Sequence, residues 1–224
     1  GDSDRQAVPL ALLVPAVLVM TIAYMMVLNI TPYMKASKAK RAVDIVMNDF
    51  DRGVGYFHNV LSGASFVNED VRNDLSKTAF LYNEKYNFSR EKRRELLAFA
   101  VEQMERSVAS HTYSLEYGTR MLSLYRSYAQ FEQYVLSRAE ELAQKLIERY
   151  PHRRDVLFEY IFIELELKKY DRAIEYAQKV IDLDPGRADA HWWMAQVLAR
   201  GGDPARALDE IDSARKLGYP IFKD

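Results

Sequence analysis

The sequence contains no cysteine. Disulfides, thiolate zinc sites and thiol nucleophiles are therefore excluded. Glycine is scarce, with 9 in 224 residues, and proline comes to 7, so sharp turns are few and long helices are favoured. Neither sign of charge dominates: 31 basic residues face 32 acidic ones, for a net charge of -1. No basic face is left to draw nucleic acid, and no nucleic-acid partner is expected. The four histidines, His58, His111, His152 and His191, include no pair at a metal-ligand spacing. Gly53-Val54-Gly55 lacks the third glycine of a nucleotide loop, and no Gly-x-Ser-x-Gly elbow occurs. The carboxylate pairs Glu140-Glu141 and Glu164/Glu166 are expected on solvent-facing helix positions, where general acid–base work has no support. The expectation is a protein with no catalytic, cofactor or metal site, not an enzyme.

What the sequence does have is one long apolar run. Ala7 through Ile30 carries no charge. A bilayer core of about 30 Å needs about 20 apolar residues at a rise of about 1.5 Å each, so the run is long enough to span. Pro9 falls in its first turn, Pro15 is expected to kink it, and Pro32 to break or bend it. The run is expected to meet either lipid or the apolar core of an assembly. The second plan resembles type IV pilins, which pack apolar N-terminal helices inside a filament, although Arg5 stands where those proteins carry a glutamate. Lys35, Lys38, Lys40 and Arg41 follow the run, a bias that pulls the C-terminal part toward the cytoplasm. With topology set by an earlier span, the soluble part is instead expected outside the cytoplasm, at the cell membrane or cell surface.

The second half carries a period. Ala139, Ala173 and Ala207 stand 34 residues apart, as do Pro151 and Pro185. Ala143, Ala177 and Ile211 keep the same step, and so do Leu146, Val180 and Ala214. Ala173, Ile174, Ala177, Val180 and Ile181 make one apolar helical stripe. Asp184-Pro185-Gly186 ends that helix, and Gly201-Gly202-Asp203-Pro204 is a turn with Asp203 as N-cap. Small residues at the period let paired helices approach closely, and stacking of the pairs buries faces that no single pair can cover. Upstream, helices are expected over 36–48, 51–61, 69–82 and 89–108. Gly55 is placed in the small slot of the second of these, and a loop is expected over 62–67. Asn87-Phe88-Ser89 matches a glycosylation sequon by pattern alone.

A 34-residue step over three units resembles the tetratricopeptide repeat family, across Arg120 to Tyr219. The matching slots are Ala139, Tyr170, Ala173, Pro185, Ala195, Ala207 and Ala214; Tyr160-Ile161 and Met194-Ala195 replace the family's usual start. The resemblance implies an all-α solenoid of antiparallel helix pairs behind a transmembrane-length helix. The domains expected are 1–34 (span or assembly helix), 35–118 (divergent helix pairs) and 119–224 (three repeat units). It also implies that the first helix of each unit faces a groove. Mapping that face gives Leu124, Tyr128 and Phe131, then Phe158, Phe162 and Leu165, then Trp192 and Gln196, an aromatic strip that a partner protein, or another copy of the chain, is expected to cover. Contact with sugar is a further expectation of such rings.

The order of parts, with Asn29-Ile30-Thr31-Pro32 closing the span ahead of the repeats, resembles the C-terminal region of bacterial O-antigen ligase or polymerase-like membrane proteins. That resemblance implies a membrane-anchored scaffold and transfers no catalytic residue. The alternative function is a structural subunit that builds an extracellular filament or tube through its apolar helix and solenoid stacking.

Overall fold

A computed structural model describes residues 10–63, 67–85, 89–111 and 114–220. Among these, every regular element is helical. In order they are α1 (Leu10–Met25), a π-helical turn (Met26–Ile30), α2 (Thr31–Asn48), α3 (Phe50–Leu61), α4 (Asn68–Lys85), α5 (Arg90–Ser110), α6 (Leu115–Tyr128), α7 (Val135–Arg149), α8 (Arg154–Glu166), α9 (Tyr170–Leu183), α10 (Ala188–Arg200) and α11 (Pro204–Lys216). The chain divides into two compact units, one through Thr78 and one from Ala79 onward. Pro9, residues 221–224, the core of the loop at 64–66 and two residues of the Asn87-Phe88-Ser89 sequon lie outside the described residues.

In the first unit, α1 runs through Pro15, and the expected break at Pro32 does not occur. Ile30 is itself helical (φ -73°, ψ -46°), and α2 follows with its proline in the first turn. Proline lacks an N–H and its ring crowds the preceding turn. The wider π turn immediately ahead of it is the usual form of such a local insertion in a helix, and here the helix passes on without a corner. Asp49 then separates α2 from α3 and caps α3, accepting the Arg52 N–H at 3.2 Å. α3 buries Phe50, Gly53, Val54, Phe57, Val60 and Leu61, and α2 turns Ala42 and Val46 inward. The small slot is Gly53 and not Gly55. A Cβ at Gly53 would collide with the backbone and side chain of Val46, whereas one at Gly55 would meet nothing within 4 Å. Two residues along a helix is a rotation of about 200°, so Gly55 looks away from α2. The Gly63 carbonyl closes the pair, accepting from Lys35 Nζ at 3.3 Å and Asn68 Nδ2 at 2.7 Å.

The second unit is a stack of antiparallel pairs. The first helices α6, α8 and α10 each pack on the second helices α7, α9 and α11. Ala139 and Ala173 are 0% exposed and Ala207 is 3%, because any larger side chain there would hold the partner helix off. The core crosses unit boundaries: Leu157, Ile161 and Leu165 of α8 join Ala173, Ala177 and Val180 of α9 and Ala190, Met194, Val197 and Leu198 of α10. Pro151 and Pro185 sit exposed in the turns after α7 and α9. In α5, Leu97, Val101 and Met104 are buried, and Gly118 of α6 admits the Leu146 side chain, which a Cβ would meet at 2.7 Å.

The turns also repeat at 34 residues. Gly202 (φ +88°) and Lys168 (φ +59°) occupy equivalent left-handed positions between paired helices. Glycine takes that conformation freely, while an L side chain there costs about 1 kcal/mol. Lys168→Gly is therefore expected to raise stability by up to about 1 kcal/mol, less what glycine adds to unfolded-chain entropy; thermal unfolding measures it. Each of the last two first helices opens on the same clip: Arg153 holds Asp155 through Nε and Nη2 at 3.1 and 2.8 Å, and Arg187 holds Asp189 in the same way.

Candidate functional site

The face expected to form a groove is only partly open. Leu124 is 1% exposed, Leu165 4% and Tyr128 6%; these three belong to the core and cannot be a docking surface. The cause is geometric. A first helix inside the stack touches its own partner and the helices before and after it, so apolar residues on three sides of it are internal. Phe131 lies beyond the end of α6, in the following turn, 6.3 Å from the Tyr128 ring with the Arg90 guanidinium over it at 5.5 Å. Phe158 is half-buried against the shared core. Trp192 is half-buried and stacks on Tyr219 at 5.1 Å and 18°, and Gln196 is half-buried.

The part of this face that does come together centres on Phe162. Its ring meets Trp193 edge-on at 4.1 Å and 72°, and the Arg126 guanidinium lies 4.8 Å from its centroid. Arg126 Nε also approaches Glu159 Oε2 at 3.2 Å, and the Ser123 hydroxyl donates to Glu159 Oε1 at 2.6 Å. Ser123, Arg126, Glu159 and Trp193 were not in the mapped strip. Each is one or two residues from a mapped position, and one residue is a turn of about 100°, so period alone could not choose between them. The result is a half-buried surface of two aromatic rings, a cation and a carboxylate. Such a surface can recognise a chain segment by stacking and ion pairing.

A second polar cluster joins α7, α8 and α9. Glu140 accepts from Lys169 Nζ at 2.6 and 2.7 Å and from Arg172 at 3.0 Å. Behind them Glu164, expected on a solvent face, is 0% exposed. It lies on the face of α8 that carries Leu157 and Ile161, one turn on. No group meets either of its oxygens in hydrogen-bond geometry, and Arg172 stops at 4.0 Å. Glu166 is exposed and pairs with Arg200 at 3.2 Å, and Glu141 pairs with Lys145 at 2.6 Å. Tyr160 and Tyr176 pack edge-on at 4.6 Å beside the cluster.

Burial pushes the Glu164 carboxyl above the usual carboxylate range and Glu140 adds to this, while the Tyr160 hydroxyl, Arg172 and Lys169 pull the other way. A raised folded-state value means that the stabilising form is the protonated one. Its contribution is complete below the unfolded value and is lost as pH rises through the folded one. Glu164→Gln is thus expected to stabilise the protein at neutral pH by about 1–3 kcal/mol. The gain should vanish near pH ~4, where the wild-type carboxyl is protonated in both states. Thermal unfolding at the two pH values is the check. Asp155 and Asp189 go the other way. Hydrogen bonds from Arg153 and Arg187 hold them below the usual range, so their contribution is present above the unfolded value and is lost as pH falls.

Two of the histidines make contacts within the helix stack. His191 bridges α10 to α11, with Nδ1 at 2.6 Å from Glu210 and Nε2 at 3.1 Å from the Pro185 carbonyl. His111 packs on Tyr117 at 5.0 Å, and His152 lines a cleft of 360 Å³ with Pro151, Leu157, Tyr176 and Leu183. Among the described residues no three His, Asp or Glu side chains gather as metal ligands.

Along α1 the exposure pattern is different in kind. Val17, Leu18, Val19 and Met20 are 53, 59, 65 and 63% exposed. Four consecutive residues sweep most of a helix circumference, so this helix is apolar and uncovered all round. Val14–Asn48 is the one segment among the described residues with the length and composition to cross a membrane.

Comparison with known proteins agrees with this architecture. The tetratricopeptide repeat family matches twice, over residues 126–188 and 164–218. Among solved structures, the chain is similar to "MamA RS-1 ArsTM double mutant" (TM-score 0.59, 12% identity, 88% of this chain and 99% of that one). It is also similar to "Crystal structure of MamA protein" (0.57, 18%, 84% and 91%) and to "MamA MSR-1 C2" (0.53, 16%, 82% and 96%). At these identities the likeness is one of fold: a tetratricopeptide-type helical solenoid. No curated protein sequence matches.

Proposed function

We propose that this chain is a non-catalytic scaffold of tetratricopeptide type, held at a membrane by its N-terminal helix and binding a protein partner through its repeats. The observation that carries the anchor is the uncovered circumference of α1 between Val14 and Met25, where Val17, Leu18, Ile22, Tyr24 and Met25 are each more than half exposed. A helix apolar on all sides is either buried in protein or sited in lipid, and no described residue of the first unit covers it. The repeat fold supports the scaffold role, and the half-buried Phe162–Trp193–Arg126 surface, continued by Phe158, Trp192 and Gln196, is the face offered to a partner. The placement is the cell membrane or cell surface.

The test is flotation of the full chain with lipid vesicles through a density gradient. Co-flotation that survives high salt supports the anchor; a chain left at the bottom removes it. A finer form of the proposal places the chain at the end of a surface-polysaccharide ligase- or polymerase-like membrane protein, where the aromatic face could also meet sugar. It rests on the order of span then repeats, and an immunoblot of native membranes that detects the chain in a band far above 26.0 kDa would support it. The second reading, a subunit polymerising through α1, rests on the same uncovered helix; filaments or tubes in electron micrographs of lipid-free material would favour it.

A further inference from the structure

We propose that Lys38, Lys40 and Arg41 form a collar that binds the headgroups of anionic lipids in the leaflet where the helix leaves the bilayer. The inference rests on the anchor proposed above and names the lipid class that the anchor selects. Three observations meet at this collar. First, the cations begin where the apolar run stops: no Asp or Glu occurs from Leu10 through Val43, and the first cation is Lys35, directly after Met34. The helix is continuous here, so Lys38 and Arg41 stand about 6 and 10 Å beyond Met34 along the axis. A headgroup layer is about 5–8 Å deep, and a long side chain can bend back toward it.

Second, the three are exposed and spread around α2 at rotations of about 0°, 200° and 300°. They form no single stripe, while Ala42 and Val46 of the same helix turn inward. A collar suits a surface that surrounds the helix, whereas a stripe would suit a partner on one side. Third, none of the three has an ion pair among the described residues, whereas several cations of the second unit are neutralised by neighbours: Arg138 by Glu105 at 2.7 Å, Arg154 by Asp184 at 3.1 Å, Lys169 by Glu140 at 2.6 Å and Arg200 by Glu166 at 3.2 Å. Lys35 differs from the collar in donating to the Gly63 carbonyl. Three unneutralised cations at a bilayer exit match an anionic headgroup in charge and in depth. Each cation near such a surface is worth about a fivefold bias.

The experiment reconstitutes the full chain into vesicles of phosphatidylcholine with a minority of phosphatidylglycerol, dissolves them gently and counts retained lipids by native mass spectrometry. The wild type is expected to retain phosphatidylglycerol in at least about fivefold excess over the ratio supplied. The Lys38→Gln/Lys40→Gln/Arg41→Gln variant should float as well and keep the same helical circular dichroism, but retain the ratio supplied; Lys38→Arg/Lys40→Arg should keep the excess. A wild type with no excess, or a triple variant with an undiminished one, overturns the proposal while leaving the anchor standing. An excess removed by inorganic phosphate but not by sodium chloride of equal ionic strength also overturns it, assigning the cations to a free anion. A wild type that does not float at all fails at the earlier step, and the anchor falls with it.

Discussion

Arginine at both Leu18 and Ile22 is expected to release the chain from vesicles with which the wild type floats. Both side chains are more than half exposed and sit one helical turn apart in the middle of the uncharged run. Each arginine near the centre of a span costs about 2.5–3.5 kcal/mol on insertion. Two together amount to about 6 kcal/mol, or roughly a ten-thousandfold loss in partition. Because neither side chain packs on another element, the repeats should keep their helical signal. That separates loss of the anchor from loss of the fold. The double variant at Met20 and Tyr24, both more than half exposed and about 200° around the helix from the first pair, should behave alike, since no side of this helix is privileged. If substitutions on one side release the chain and those on the other leave it in place, the helix packs against protein.

The second large effect is on stability. Gly53→Ala is expected to loosen the α2–α3 pair, because the added methyl would run into the Val46 backbone as well as its side chain. A flexible neighbour could move; a helix backbone cannot without parting from α3. Overpacking of this kind costs about 1–3 kcal/mol and occasionally more, and alanine returns about 1 kcal/mol of helix propensity. With backbone among the colliding atoms the cost falls at the upper end of that range, so the net loss expected is about 2 kcal/mol, seen as amide exchange in α3 (Phe50–Leu61) faster by roughly thirtyfold. Gly55→Ala is the internal contrast. With open space around it, it should gain about 0.5–1 kcal/mol. Equal effects at the two glycines would mean that α3 is rotated relative to the arrangement described here.

Those two glycines also show where sequence reading runs out. The 34-residue step and the helix limits were legible because they rest on what a residue type does locally: proline and glycine stop helices, aspartate and serine cap them, and alanine at a fixed period admits a neighbouring helix. Ser89 does cap α5, accepting from the Lys92 N–H, and Asp203 caps α11. Which side of a helix is inside is a finer question. Gly53 and Gly55 are two residues apart, and composition does not say which one faces α2. In α6 and α8 the difficulty is of another kind: apolar residues lie on several sides of each first helix, and only the stack decides that Leu124, Tyr128 and Leu165 are core while Phe162 reaches the surface beside Trp193. Glu164 was misplaced because charge argues for solvent, and only the neighbours on α7 and α9 show it enclosed. The Arg-x-Asp clips at 153–155 and 187–189 also repeat at 34, a period written in charged residues beside the one written in small and apolar ones.

The absence of native cysteine allows one measurement that tests the central claim directly. Single cysteines placed in turn from Val14 to Leu28 can each carry a spin label, with no competing thiol, and the accessibility of each label to oxygen and to a water-soluble nickel complex can be read in vesicles. A helix surrounded by lipid predicts high oxygen access and low nickel access at every central position, with no periodicity. A modulation of about 3.6 residues, with one side shielded from both reagents, would contradict the account and give the helix a protein neighbour.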